Sequence, residues 1–388
     1  MFDQKKMIKV PSVLIATGAM NAGGAETLIM EVLRRRSNTI RYILLIHYEK
    51  EKVTGIYDSE IASMGISVYY IHSVGSVGEK CYLAELSKII KEIGTVDIIH
   101  SHLNAVGGII AKAARTVGIR NRIVHCHADI TYKGSFIYRQ FNELKLQYMK
   151  CFVKKYATVR WACSPEAAIR LFNTTKNVEI IPNVIHVADY LPDESKKERS
   201  KRKNHTSAPL VLGSVGRIAR IKNYEFCLHI VSQMVKSGIE CEFVCFGRIA
   251  DTDYYNELVE LAQELGVSDC IRFLGNSADV PMDIRCIDCF LMPSISEGFG
   301  MAVLEAQAAG IPVIASSGIP QIVDIGLGLV SFLPVDRVED WVKQIIETES
   351  VSVSKKTILK SFDEHGYNSD TMVAEIEKKY MHIINDNY

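Results

Sequence analysis

Short apolar runs alternate with amphipathic stretches along the chain, and the alternation predicts strands followed by helices. In the first half, the runs at 12–16, 42–47, 97–100, 122–125 and 160–162 are short and largely apolar, as strands buried on both faces are. Between them, 25–36, 82–93, 106–117 and 136–156 place apolar residues at helical spacing. Residues 193–207 are charged and polar with no apolar period, which predicts an exposed linker or loop. The alternation restarts with a strand at 210–215, a helix at 224–237, a strand at 242–246, a helix at 254–265 and a strand at 271–274. A further apolar run at 287–292, broken by Asp288, predicts another buried strand, and 370–384 is helical in pattern. Alternation of this kind implies parallel sheets wrapped by helices, here in two α/β units.

Composition narrows the class. A chain of 388 residues is about twice a typical domain, which agrees with two units. Lys plus Arg equals Asp plus Glu at 45 each, so overall charge points to no nucleic-acid partner. No apolar run approaches the roughly 18 residues of a spanning helix. Lys5, Lys6 and Lys9 before the apolar stretch 10–20 imitate a signal peptide faintly, but the pattern continues straight into a helix and reads as a first strand. Ten cysteines lie mostly in strand-like apolar contexts, without the dense spacing of a secreted scaffold. Cys286-x-x-Cys289 has no second pair at zinc-site spacing, so core thiols and a cytoplasmic location are expected.

The densest chemistry lies in Pro293-Ser-Ile-Ser-Glu297-Gly298-Phe299-Gly300-Met301-Ala-Val-Leu-Glu305-Ala-Gln-Ala-Ala-Gly310-Ile-Pro312. Gly298 and Gly300 permit a tight turn, and 301–309 predicts a short helix ended by Gly310 and Pro312. Glu297 and Glu305 then flank one strand–loop–helix junction, which in an open α/β sheet faces the ligand crevice. Ionised carboxylates accept from vicinal hydroxyls, and the helix N-terminus favours phosphate, so one loop can hold a sugar, a ribose and the phosphates joining them. Upstream, Gly216-Arg217 ends a strand and Lys222 follows before a helix, which places two cations for phosphate. Gly23-Gly24 after the first strand lets backbone approach a ligand at a helix start. His100-Ser-His102 and His125-Cys-His127 occupy strand ends; His-x-His suggests metal, but the sequence places no third ligand. Asp251-Thr-Asp253 matches a metal-binding signature superficially and is explained as a helix N-cap with a first-turn acid.

The whole phrase around Glu297-x7-Glu305 resembles the retaining nucleotide-sugar glycosyltransferases of family 4, which have the GT-B fold. The resemblance implies two Rossmann-like domains facing an interdomain cleft, with a C-terminal helix crossing back to the first domain. Its expected layout is an acceptor-side domain at 1–190, a linker at 191–208, a nucleotide-sugar-binding domain at 209–366 and the helix at 367–388. Gly216-Arg217 with Lys222 resembles the family's pyrophosphate pair, with Asn223 in place of the usual Gly. Leu274-Gly275 followed by Asp279-Val resembles the segment beside the nucleotide base. Ile181-Pro182-Asn183 resembles the phrase closing the first domain, with Val184 replacing Gly.

The resemblance implies a catalytic group of Glu297, Glu305, His127, Arg217 and Lys222. Gly23, Gly24, His125, Gly216, Leu274, Gly275, Gly298, Phe299, Gly300 and Met301 are the further donor-binding candidates. A histidine touches the donor sugar in the family; His127 is the first choice and His125 the alternative. The His100 pair is divided between packing and acceptor contact. No metal or other cofactor is expected, since Arg217 and Lys222 take the place of a divalent ion. The implied activity moves a sugar from a nucleoside-diphosphate sugar, UDP-sugar favoured, to a glycan or lipid-linked glycan in bacterial surface-polysaccharide synthesis. The rivals are a catalytically silent GT-B subunit and a GT-B sugar-nucleotide epimerase.

Between Lys133 and Arg160 seven basic residues accompany one acid, Glu143, a net charge of +6 (7 − 1) in a chain that is neutral overall. Phe141, Leu144, Tyr148 and Phe152 recur there at helical spacing. Either this aromatic side faces the core, or the stretch docks on the anionic inner face of a membrane.

Overall fold

A computed structural model describes residues 10–386 except 22, 53, 128–135, 193–208, 278 and 349–351. The chain divides into two compact units: residues up to Val184 with those from Ser369 onward, and Ile185–Asn368. Of the expected linker at 191–208, residues 193–208 lie outside the described residues.

The first unit runs β1 (Ser12–Thr17), α1 (Gly24–Arg35), β2 (Arg41–Tyr48), α2 (Asp58–Ser63), β3 (Ser67–His72), α3 (Val74–Ile93) and β4 (Ile98–Ser101). It continues with α4 (Gly107–Thr116), β5 (Asn121–Cys126), α5 (Phe136–Tyr156), β6 (Val159–Ala162), α6 (Pro165–Phe172) and β7 (Glu179–Ile180). All pairings are parallel, in the order β3-β2-β1-β4-β5-β6-β7. Every residue of β1 is buried, as a central strand covered on both faces requires. The strand β3 escapes the apolar-run criterion because it lies at the sheet edge and is mostly half-buried. Helix α3 begins eight residues before the apolar period does, with a kink at Gly78 (φ 76°).

The second unit contains α7 (Val187–Tyr190), β8 (Leu210–Val215), α8 (Tyr224–Lys236), β9 (Cys241–Phe246), α9 (Thr252–Glu264), β10 (Ile271–Gly275) and α10 (Val280–Ile284). Then follow β11 (Cys289–Met292), α11 (Met301–Ala308), β12 (Val313–Ser316), β13 (Val330–Leu333), α12 (Val338–Glu347) and α13 (Lys355–His365). Its parallel sheet has the order β10-β9-β8-β11-β12-β13. Both sheets therefore have Rossmann order, reversing between their first and fourth strands. The crossing into the second unit falls before α7, because Val187 and Tyr190 are buried in that unit's core with Phe299, Leu304 and Phe362.

The last helix, α14 (Ser369–Asn385), belongs to the first unit. Its Val373, Ile376 and Tyr380 are buried with Leu28, Ile29 and Trp161. Lys379 pairs with Glu179, and Arg35 with Asp370, on the same unit's surface.

Candidate functional site

The second sheet reverses direction between β8 and β11, and the loops after these neighbouring strands carry the densest motifs. Topology thus joins segments about 75 residues apart at the position where α/β sheets bind ligands. Two bonds link the loops: Ile295 N–H donates to the Ile221 carbonyl at 2.8 Å, and the Asn223 amide to the Pro293 carbonyl at 3.2 Å. Asn223 has φ 56°, a left-handed conformation that Asn tolerates better than most residues. It therefore replaces glycine without losing the turn and adds a loop-to-loop hydrogen bond.

Lys222 Nζ meets Glu297 Oε1 at 2.6 Å, with both side chains mostly shielded from water. A Cβ on Gly216 would stand 3.3 Å from that Nζ, so glycine leaves the lysine its path. The Glu297 N–H donates to the Gly318 carbonyl at 3.2 Å, and a Cβ on Gly318 would fall 2.2 Å from the Ile295 carbonyl oxygen. Gly300, at φ 99°, starts α11, which carries Glu305. Burial pushes the Glu305 carboxyl up to about 7, opposed by a hydrogen bond from the Tyr190 side chain and by the charge of Lys222. Lys222 thus pairs with Glu297 and lies within electrostatic reach of Glu305, whose charged form burial opposes.

Arg217 is exposed, and no ion pair joins it to a described residue. Gly298 and Met301 are half-buried beside the pair. The Phe299 side chain is buried edge-on against Tyr367 and serves packing, so only its backbone remains to offer a ligand. Leu274 and Gly275 end the edge strand β10, two strands from β8, with the Leu274 side chain half exposed. Asp251 caps α9, its carboxylate accepting from the Tyr254 N–H at 3.0 Å. Arg220 makes a bidentate surface pair with Glu257. Cys286 is exposed and Cys289 buried.

In the first unit, Gly23 caps α1 and Gly24 opens it. A Cβ on Gly23 would lie 2.4 Å from Glu26 Oε2. His100 and His125 lie near the ends of the neighbouring strands β4 and β5, with His102 and His127 just beyond, and their rings share one face. His125 is fully buried, edge-on to Trp161 and stacked on His100, so its ring has no edge open to a donor sugar. His127, by contrast, is half-exposed. The His127 backbone N–H donates to Asn104 Oδ1 at 2.8 Å; its ring Nε2 lies 2.7 Å from His102 Nδ1 and its Nδ1 3.3 Å from Asn183 Oδ1. Burial holds His127 down at about 4 and His100, His102 and His125 well below their ordinary value, so all four rings are neutral at pH 7.

Tyr190 and Gly318 were not marked by the sequence, and Asn183 only as part of the phrase closing the first domain. None carries a chemical signature; each acts through a contact that only folding makes.

Two parallel Rossmann-order sheets, the second with Lys222, Glu297 and Glu305 at its switch point, have the architecture of the GT-B glycosyltransferases. Residues 195–356 match the family described as glycosyl transferases group 1. The chain is similar to a putative glycosyltransferase, EpsF, of Bacillus subtilis (28% identity over 385 residues, 97% of each chain). It is also similar to the capsular polysaccharide biosynthesis glycosyltransferase CapH of Staphylococcus aureus (26% over 318 residues, covering 80% of this chain and 82% of CapH). Among solved structures it shares its fold with Anabaena HepE in complex with UDP (TM-score 0.76, 17% identity, 96% of this chain and 100% of HepE).

Proposed function

We propose that the protein is a retaining family 4 glycosyltransferase that moves a sugar from a UDP-sugar to a hydroxyl of a glycan or lipid-linked glycan in surface-polysaccharide assembly. The observation that carries this reading is the grouping of Lys222, Glu297 and Glu305 at the β8–β11 switch point. HepE, solved with UDP, and CapH, named for capsular polysaccharide, support the donor and the pathway class.

Lys222 and Arg217 hold the pyrophosphate and stabilise the charge that develops on it as the glycosidic bond breaks; the N-terminus of α11 adds its dipole. Glu305, once deprotonated, accepts from a diol of the ribose or sugar, and Glu297 serves the sugar end. The first unit contributes backbone at Gly23-Gly24 and the His127 residue. No metal enters at the pyrophosphate, and no side chain is assigned as a nucleophile. Retention of Lys222, Glu297 and the glycine loop speaks against a silent subunit. Thermal shift and transfer assays over UDP-, GDP- and ADP-sugars test the reading, with and without EDTA. One UDP-sugar should raise the midpoint and be turned over in chelator. Stabilisation by no UDP-sugar, or activity that requires added magnesium or manganese, would refute it.

We further propose peripheral attachment to the anionic cytoplasmic face of a membrane through α5. No helix among the described residues is long and apolar enough to cross a membrane. Leu146 and Val153 bury one side of α5, while Ile137, Phe141, Leu144 and Tyr148, spaced by four, three and four, are 59–80% exposed on the opposite side. Arg139, Lys145, Lys154 and Lys155 are exposed on the same helix. Lys150 does not belong to this face: it is buried, with Nζ 3.0 Å from Asn173 Oδ1. An apolar stripe edged by cations suits an interfacial helix, each cation contributing about 1 kcal/mol near anionic lipid. Sedimentation with phosphatidylglycerol vesicles should show binding that weakens with salt and falls in Lys145→Glu/Lys154→Glu/Lys155→Glu. Indifference to lipid charge would leave α5 a solvated helix.

A further inference from the structure

The four histidines of the first unit are more than neighbours along two strands. His100, His102 and His125 are each at most 6% exposed. One nitrogen from each lies within 4.8 Å of the others. They line a cavity of about 10 Å³ closed by Ile15, Leu28, Trp161, Ile376 and Tyr380, room for a single water or ion.

Proton accounting shows what the cavity suits. A neutral imidazole has one N–H and one lone pair. His100 Nδ1 lies 2.6 Å from the Tyr380 hydroxyl, and His102 Nδ1 lies 2.7 Å from His127 Nε2. His127 in turn directs Nδ1 at the Asn183 amide oxygen, an acceptor, which leaves its Nε2 to accept from His102. The N–H of His102 is therefore on Nδ1, and its lone pair is on Nε2. His125 Nε2, beside the Ile181 backbone, has no well-formed hydrogen bond. With its proton there, His125 turns a lone pair on Nδ1 toward His100 Nε2, 3.3 Å away. That separation is long for a hydrogen bond. It equals the edge of a tetrahedron about a metal ion bonded to nitrogen at about 2.0–2.1 Å.

We propose that His100 Nε2, His102 Nε2 and His125 Nδ1 form a binding site for a borderline divalent transition ion of the zinc class. The third ring closes on the ion by a small side-chain rotation, and a water completes four-coordination. Each ligand's other nitrogen has a place for its proton: the Tyr380 hydroxyl, His127 and the Ile181 backbone. Hydrogen-bond partners on the nitrogen away from the metal orient histidine ligands in metal sites. The donor set is all imidazole with no carboxylate in the cavity lining, which selects against magnesium and calcium. The ion would cross-link β4 and β5 and, through Tyr380, tie α14 to the first sheet. Its ligands belong to the first unit, whereas Arg217 and Lys222 belong to the second.

The test uses the full chain, stripped by dialysis against chelator and titrated with Zn²⁺ and, separately, Co²⁺. One Zn²⁺ per chain should remain after gel filtration and raise the thermal midpoint, as a ligand selective for the folded state does. Co²⁺ should give the intense visible bands of a four-coordinate nitrogen site. Both signals should vanish in His100→Gln and His102→Gln and persist in Cys286→Ser. The wild-type Co²⁺ spectrum decides alone should those histidine variants fail to fold. No retained ion, the weak spectrum of octahedral Co²⁺, or binding undiminished in a folded histidine variant would overturn the site and leave the cavity to a water or a shared proton.

Discussion

Replacing Glu305 by Gln separates the two properties that the structure joins in this residue, its burial and its charge. Burial holds the carboxyl near 7 against an ordinary 4.5, a preference of about 3 kcal/mol for the neutral form. A carboxyl that must be ionised to accept from a diol is then about one-tenth competent at pH 6 and about nine-tenths at pH 8. UDP-glucose should therefore bind about tenfold tighter at pH 8 than at pH 6, in a range where its diphosphate diester does not titrate. Glu305→Gln should bind weakly and without that slope in isothermal titration across the same pH range. Stability gives an independent control, with the opposite sign. The folded state keeps this proton to about pH 7 whereas the unfolded chain releases it near 4.5, so the group's contribution is full below 4.5 and falls as pH rises to 7. Glu305→Gln should match the wild type in denaturant at pH 4 and exceed it at pH 8 by up to about 3 kcal/mol. A pH slope in binding retained by the variant would show that another group titrates. A flat wild-type profile would remove the diol role from Glu305.

Two further predictions follow from the same loops. Lys222→Ala should weaken UDP binding about tenfold or more, about 1.4 kcal/mol, and uridine binding by less than about threefold; equal losses would mean that the lysine does not meet the diphosphate. Gly318→Ala should destabilise the protein by about 1–3 kcal/mol and weaken UDP-sugar binding, because its Cβ would lie 2.2 Å from the Ile295 carbonyl and push the loop that carries Glu297. An unchanged thermal midpoint would contradict that packing.

Much of this molecule is legible one strand at a time. Apolar runs such as 210–215 and helical periods such as 136–156 depend on local spacing alone, and they match β8 and α5 residue for residue. The Glu297–Glu305 phrase is equally local, since a turn, a helix start and a second carboxylate within nine residues need no distant partner to be recognised. Half-buried edge elements such as β3 carry too weak a period to be read this way. Tertiary structure alone decided where side chains point. On α5 the basic residues look alike in sequence, yet Lys150 turns inward to Asn173 while Lys154 and Lys155 face out, because a helix side is chosen by what packs beneath it. His125 and His127 likewise differ by one strand repeat; the first is sealed beneath Trp161 and only the second keeps an exposed edge. The Lys222–Glu297 pair and the three-histidine cluster arise from strands that neighbour each other only through the Rossmann order of the sheets. Sheet order is set by the burial of whole layers, a property of the assembled core that no local stretch of sequence contains.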